Sequence, residues 1–147
     1  MKKYKTRLDA VLKVREYDLD VQRQLFNKSN HQLNESKTRL CHLETEAIKA
    51  RKQFSEKQKF GMMPSDIALF HHFNQCQEEK MQTQKEIINT LSKEVEKKRR
   101  ALESRFREIK AIEKIETTRK IRFDSASKKR ESDLMDEISS YLQRYHA

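Results

Sequence analysis

The fold is decided at residues 60–66, which read Phe60-Gly61-Met62-Met63-Pro64-Ser65-Asp66. This stretch holds the only glycine and the only proline among 147 residues. Gly61 can adopt the positive φ that ends a helix, and Pro64 suits the first turn of the next one. Met63 or Ser65 could cap that second helix, and Ser65 is favoured because its hydroxyl accepts a backbone N–H. We therefore expect two helices joined by a loop at about residues 59–64.

The segment before this loop carries an unbroken heptad seam. An apolar residue recurs at every seventh position, and the alternate positions of the same stripe include Arg15, Gln22, Ser29 and Ser36. The apolar members are Leu12, Leu19, Phe26, Leu33, Leu40, Ala47 and Phe54. So narrow a stripe predicts a coiled-coil helix with one partner helix, rather than a helix of a layered core.

The segment after the loop carries a matching seam and runs further. Its strongest apolar positions are Met81, Ile88, Val95, Leu102 and Ile109. After Ala126 the apolar positions shift by a four-residue step, and such a phase change either locally unwinds a supercoil or marks where pairing ends. The last part of the second helix is therefore expected to extend alone.

Loop length sets the direction and the register of this pairing. A loop of about six residues makes neighbouring helices run antiparallel. If the hairpin closes symmetrically, facing residues have numbers that sum to about 124, so that Phe54 meets Phe70. The sequence thus predicts an all-α fold, a two-helix antiparallel coiled-coil hairpin with a longer, overhanging C-terminal helix. We expect a single domain over residues 1–147, with helices at about 6–58 and 65–145.

Composition agrees with this fold. Charged residues make up 38% of the chain, hydrophobic residues 35%, and tryptophan is absent, so there is too little bulk for a globular core. Disorder is the competing class for so polar a chain. A disordered segment, however, has no reason to hold a heptad phase over the whole of residues 8–54.

The net charge of +10 is concentrated in two segments. Lys and Arg outnumber Asp and Glu in residues 1–60 and 97–130, whereas residues 61–96 and 131–147 are mildly acidic. Basic helices attract phosphate, lipid or acidic protein. No zinc spacing or helix-turn-helix signal accompanies the basic runs 97–100 and 119–122, so solvated coiled-coil flanks are favoured and no specific nucleic acid is expected as a partner.

The remaining residues give no sign of catalysis. No phosphate-binding glycine loop is present, and a two-helix rod offers no pocket in which a carboxylate could be tuned. The adjacent His71 and His72 point about 100° apart on a helix, so we interpret them as surface residues and expect no metal and no cofactor. Cys41 and Cys76 fall too far out of alignment for a disulfide, and free thiols suit a reducing cytosol. No stretch approaches the length of a membrane span, so we expect a cytoplasmic protein. Because neither a pocket nor a phosphate-binding loop is expected, we also expect the protein not to be an enzyme.

The opening residues read Tyr4-Lys5-Thr6-Arg7-Leu8-Asp9-Ala10-Val11-Leu12-Lys13-Val14-Arg15-Glu16. An aromatic residue, then Arg-Leu-acidic, then Val-Leu-Lys and Arg-Glu, resembles the start of FliJ-type flagellar export proteins. The chain length, the break near Gly61 and the longer basic second helix are similar too. The resemblance implies a stalk of the flagellar type III export apparatus at the inner face of the membrane. Such a stalk enters the flagellar export ATPase hexamer, contacts the cytoplasmic domain of the export gate membrane protein, and can handle export chaperones.

The resemblance also implies sites. The matching motif assigns Arg7, Leu8, Leu12 and Arg15 to the ATPase-facing end, although ordinary seam and flank positions are the alternative interpretation, especially for the two leucines. On the grounds of expected exposure, the overhang adds four ATPase-binding candidates, which are Phe123, Leu134, Ile138 and Tyr141. The gate-binding surface of the family, near the loop, corresponds here to Phe73, Gln77 and Gln84.

Two other functions fit the same sequence. A stalk of a homologous injectisome would share every physical feature. A generic structural or nucleic-acid-associated coiled coil would instead pair its helices between two molecules, as a dimer.

Overall fold

The structure is a computed structural model of the chain, and it describes residues 3, 4 and 8–146. Two α-helices contain nearly all of these residues: α1 spans Asp9–Lys59 and α2 spans Pro64–His146. No strand occurs in the described residues. The predicted all-α, two-helix antiparallel hairpin is confirmed, and α2, with 83 residues, is much longer than α1, with 51.

Packing divides the chain into two compact units. The loop unit is Val21–Leu102 and contains the connection between the helices. The terminal unit consists of the described residues of Met1–Asp20 and of Glu103–Ala147. Within each unit, a segment of α1 packs against a segment of α2.

Backbone hydrogen bonds define the loop between α1 and α2. Gly61 has a φ of 89°, as expected for the residue that ends the first helix. The N–H groups of Asp66 and Ile67 both donate to the carbonyl oxygen of Met63, at 3.0 and 3.4 Å. The expectation that Ser65 caps α2 is therefore wrong. Proline suits the first helical position because its φ is fixed and it has no N–H to satisfy, so the cap falls on Met63, directly before Pro64.

An aromatic stack sets the register of the loop unit. The rings of Phe54 and Phe70 lie face to face, with centroids 3.9 Å apart and an interplanar angle of 11°. This is the pairing predicted from loop length. A slip by one heptad would separate the two rings, whereas the repeating seam on either side would still match.

Beyond this stack the seam of the loop unit is unusually polar. Ser29, Ser36 and Gln77 are among its buried residues. Long polar side chains of α2 reach the small positions of α1: Lys98 Nζ donates to Ser29 Oγ at 2.6 Å, and Gln84 Nε2 donates to the Ser36 carbonyl oxygen at 3.0 Å. These hydrogen bonds let a polar seam exist without leaving the bridging donors unmatched.

Replacing Phe54 by alanine should lower the free energy of unfolding by about 1–3 kcal/mol. The reason is that Phe54 is only half-buried, so it loses less than a core phenylalanine does. Phe60 is 92% exposed and is the control, since Phe60→Ala should change the value by less than about 0.5 kcal/mol. Urea unfolding followed by far-UV circular dichroism measures both, and equal losses would contradict the role of the stack.

Candidate interaction surfaces

In the terminal unit, Arg15 is engaged with α2. Its Nη1 lies 2.7 Å from Glu108 Oε2, and one turn along, Arg105 Nη1 lies 2.8 Å from Asp18 Oδ2. In the first pair the cation belongs to α1, and in the second it belongs to α2, so each helix contributes one cation and one carboxylate. All four side chains are partly exposed, which limits each pair to about 0.2–1 kcal/mol of stability. Arg15, an ATPase-binding candidate, thus already has a partner within the chain.

The leucine candidates of the same segment lie on the seam. Leu8 and Leu12 are half-buried. They continue the stripe that includes Leu19, which together with Ile109 forms the buried apolar part of this unit. Packing between the helices is therefore their visible role. Arg7 lies outside the described residues.

Phe123 is covered by the residue that opens the family motif. The ring of Tyr4 lies 5.4 Å from that of Phe123, centroid to centroid, with an interplanar angle of 52°. We expected Phe123 in the unpaired stretch of α2, and the structure corrects this. Tyr4, which precedes α1, is in contact with α2, so pairing extends further along α2 than the length of α1 alone predicts.

Beyond Phe123, α2 has no cover from the described residues. From Asp124 to His146 every residue is exposed except the half-buried Ser127. Leu134, Ile138 and Tyr141 are 57%, 53% and 60% exposed. Together with Tyr145 they repeat at helical spacing on one side of α2, which we call the C-terminal apolar face.

The two tyrosines of this face contact each other. Their rings lie 4.8 Å apart, centroid to centroid. A hydrogen bond with the Tyr145 side chain, together with partial desolvation, raises the pKa of Tyr141.

Near the loop, the three gate-binding candidates differ in what they present. Phe73 is 40% exposed and borders an open groove of about 360 Å³, together with the exposed Leu69. Gln77 is buried, and its amide donates to the carbonyl oxygen of Leu43 at 3.0 Å. Gln84 is half-buried and bonds α1 as described above. Only Phe73 of the three offers an apolar surface to another molecule, while the glutamines hold the helices together.

A further apolar patch of α1 was missed by the sequence reasoning. Val11, Val14 and Tyr17 are exposed in the terminal unit, at three-residue spacing and off the seam. They border a shallow depression of about 640 Å³. The signal was present in the family motif itself, because Val14, which follows Leu8 by six residues and Leu12 by two, lies on a different side of the helix from both leucines.

His72 has a neighbour that the sequence reasoning overlooked. Cys76 follows it by one turn, and its Sγ lies 3.7 Å from His72 Nε2. Two such ligands do not make a metal site, and within residues 3, 4 and 8–146 no group of three or more His, Cys, Asp or Glu is placed to hold a metal ion.

In the same residues, no helix has both the length and the apolar character needed to cross a membrane.

The fold and its surfaces define a class of protein. A helical hairpin that leaves apolar faces open at separate places along α1 and α2 is built to bind other macromolecules. The family model described as Flagellar FliJ protein matches residues 4–146. The chain therefore belongs to the FliJ family, and the resemblance of its opening residues is confirmed. It is an export-related flagellar protein. No curated protein and no solved structure matches it.

A double-mutant cycle should detect the ion pair between Arg15 and Glu108. With Arg15→Ala and Glu108→Ala made singly and together, we expect a coupling of about 0.2–1 kcal/mol that shrinks as salt is added, because both side chains are partly exposed. Lys13 is exposed nearby, and a cycle of Lys13→Ala with Glu108→Ala should show no coupling. Chemical denaturation provides the free energies. A zero coupling for Arg15 would mean that its guanidinium is available to another partner.

Proposed function

We propose that this protein is the non-enzymatic stalk of the flagellar type III export apparatus. In this role its terminal unit enters the ring of the export ATPase, promotes assembly and activity of that ring, and links it to the export gate. The protein would act at the inner face of the cell membrane, at the flagellar base. Membership of the FliJ family supports a role in flagellar export. The observation that carries the finer assignment is the uncovered C-terminal apolar face.

That face supports ATPase binding for a physical reason. An isolated amphipathic helix is marginally stable in water, because its apolar side gains nothing from exposure. Leu134, Ile138 and Tyr141 would be buried against the subunits that surround them in the ring. Phe123, held by Tyr4, would mark where the paired part of α2 gives way to this docking segment.

The N-terminal candidates would also contribute to ATPase binding. Arg7 and Arg15 supply cations, and Leu8 and Leu12 keep the short α1 segment in place beside α2. Since Arg15 bonds Glu108, we expect it to act in the ring chiefly by keeping the helices paired.

The mechanism would be mechanical and would involve no chemistry by the stalk. A rod that contacts several subunits at once favours the closed ring, because the later contacts form intramolecularly. Its faces differ, so each subunit meets a different surface. Binding and nucleotide state are then coupled, and by linkage the coupling acts in both directions.

The loop unit would make the contact with the export gate. Phe73 is the residue with the surface for it, and the adjoining groove could accept an apolar side chain of the gate's cytoplasmic domain. Gln77 and Gln84 would act indirectly, by fixing the helix pair under that surface. Export chaperones are further candidate partners. The family match favours this flagellar role over an injectisome stalk.

Wild-type protein at micromolar concentration and low salt should raise the activity and the hexamer fraction of its cognate export ATPase. The triple variant Leu134→Ser/Ile138→Ser/Tyr141→Ser should need at least about tenfold more protein for half-maximal effect, since each buried apolar side chain contributes on the order of 1 kcal/mol. The control is Leu25→Ser/Ile48→Ser/Ile87→Ser, which removes three exposed apolar side chains of the loop unit. Absence of any effect of wild-type protein, or equal loss in the control, would refute the proposed ATPase contact.

Phe73→Ser should weaken binding to the purified cytoplasmic domain of the export gate by about tenfold, measured by biolayer interferometry. Phe106→Ser is the matched control, because Phe106 is 46% exposed but lies in the terminal unit. We expect the control to bind like wild type. Identical affinities for the Phe73 variant and wild type would exclude this surface as the gate contact.

A further inference from the structure

Charge is sorted around α2 in the terminal unit. Arg107, Lys114 and Arg122 recur every seven or eight residues on the side of α2 turned away from the seam at Ile109, and all three are exposed. Glu103 stands at the start of this side, one turn before Arg107. From Arg107 to Arg122 the carboxylates lie elsewhere around the helix, as Glu108 does in its ion pair with Arg15. An ordinary solvated coiled-coil flank alternates its signs, so this one-signed side is not explained by solubility alone.

Within this side lies an open groove of about 450 Å³. It is lined by Ala111, Lys114, Ile115, Thr118, Arg119 and Arg122, which we call the basic groove. Small and apolar residues form its floor, and three cations form its rim. The Thr118 hydroxyl donates to the Lys114 carbonyl oxygen at 2.9 Å, so the methyl group is what Thr118 offers to a ligand.

The rim cations have no partners of their own within the described residues. Lys114, Arg119 and Arg122 take part in none of the ion pairs found there, in contrast to Arg15 and Arg105. Ile115, between them, is 48% exposed. A ligand for this groove therefore needs an apolar centre and negatively charged edges.

We propose that the basic groove binds an amphipathic acidic α-helix of another protein, laid along α2. Arg107 and Lys114 are separated by about 10.5 Å along the helix axis, and Lys114 and Arg122 by about 12 Å. Carboxylates one heptad apart on a second helix have nearly the same spacing. The small floor residues Ala111 and Thr118 allow the axes to approach to about 8–10 Å. No aromatic or amide side chain is present in the groove, so it lacks groups that stack on or read nucleic-acid bases.

This site is separate from the C-terminal apolar face. Thr118 and Ile138 differ by 20 residues, which turns the helix by about 200° and places them on opposite sides of α2. The two surfaces therefore do not overlap on α2. The inference does not depend on the proposed ATPase or gate contacts, and its failure would leave them untouched.

The test uses the full-length protein and a defined probe. The probe is a fluorescein-labelled synthetic peptide of three heptads, with leucine and alanine on one side and glutamate at both edges of that side. Fluorescence anisotropy should show binding that weakens as salt is added, because exposed charges supply much of the attraction. A peptide of the same composition in scrambled order, which has no acidic-edged side, should bind at least about tenfold more weakly.

Charge reversal locates the site. The variant Lys114→Glu/Arg119→Glu/Arg122→Glu should lower the affinity at least about tenfold. A control with the same charge change off the groove is Lys110→Glu/Lys120→Glu/Lys128→Glu, which should lose no more than about threefold. A peptide with lysine in place of each glutamate should bind the groove variant better than it binds wild type. All of these positions are exposed, and circular dichroism verifies that both variants stay helical.

Several results would overturn the proposal. They are no binding of the acidic peptide to wild type, equal losses in the two variants, or equal binding of the scrambled peptide. Tighter binding of a DNA duplex, abolished by the groove reversal, would assign the surface to nucleic acid instead.

Discussion

The short loop and the ring stack beside it are the constraint on which the loop unit depends. Its seam repeats small, polar positions such as Ser29 and Ser36 one heptad apart, so the seam alone hardly distinguishes one register from the next. The stack of Phe54 on Phe70 does distinguish them, because a slip by one heptad would move the two rings apart. Every cross-helix hydrogen bond further from the loop, including those of Gln77 and Gln84, relies on the alignment set there.

The fold was predictable because its signals are local and repeat. Gly61 and Pro64 mark the turn, and the heptads on both sides define two helices that need one another. The N-cap of α2 was harder to predict, because two signals compete there. The hydroxyl of Ser65 favours that residue as the cap, whereas Pro64 favours the first helical position and so places the cap on Met63. Phe123 was misjudged because its cover, Tyr4, precedes α1, and a count of helical residues ignores such a contact.

The surfaces were less predictable than the fold. Exposure of Leu134 and Ile138 follows from helix length, so the sequence was sufficient there. Gln77 could not be recognised as buried, because its burial depends on reaching a carbonyl oxygen of the facing helix. Charge sorting around α2 was hidden as well, since the sequence shows runs of Lys and Arg but the sorting emerges only when they are arranged at about 100° per residue.

The polar seam has a thermodynamic consequence. The helices of the loop unit meet partly through serines, glutamines and a lysine, so unfolding exposes little apolar surface to water. Exposure of apolar surface is what raises the heat capacity on unfolding. The heat-capacity change of unfolding, per residue, should therefore fall below the roughly 12–15 cal/mol/K of globular domains. Stability would then vary gently with temperature, so that chilling or moderate warming leaves the strength of pairing in the loop unit nearly unchanged.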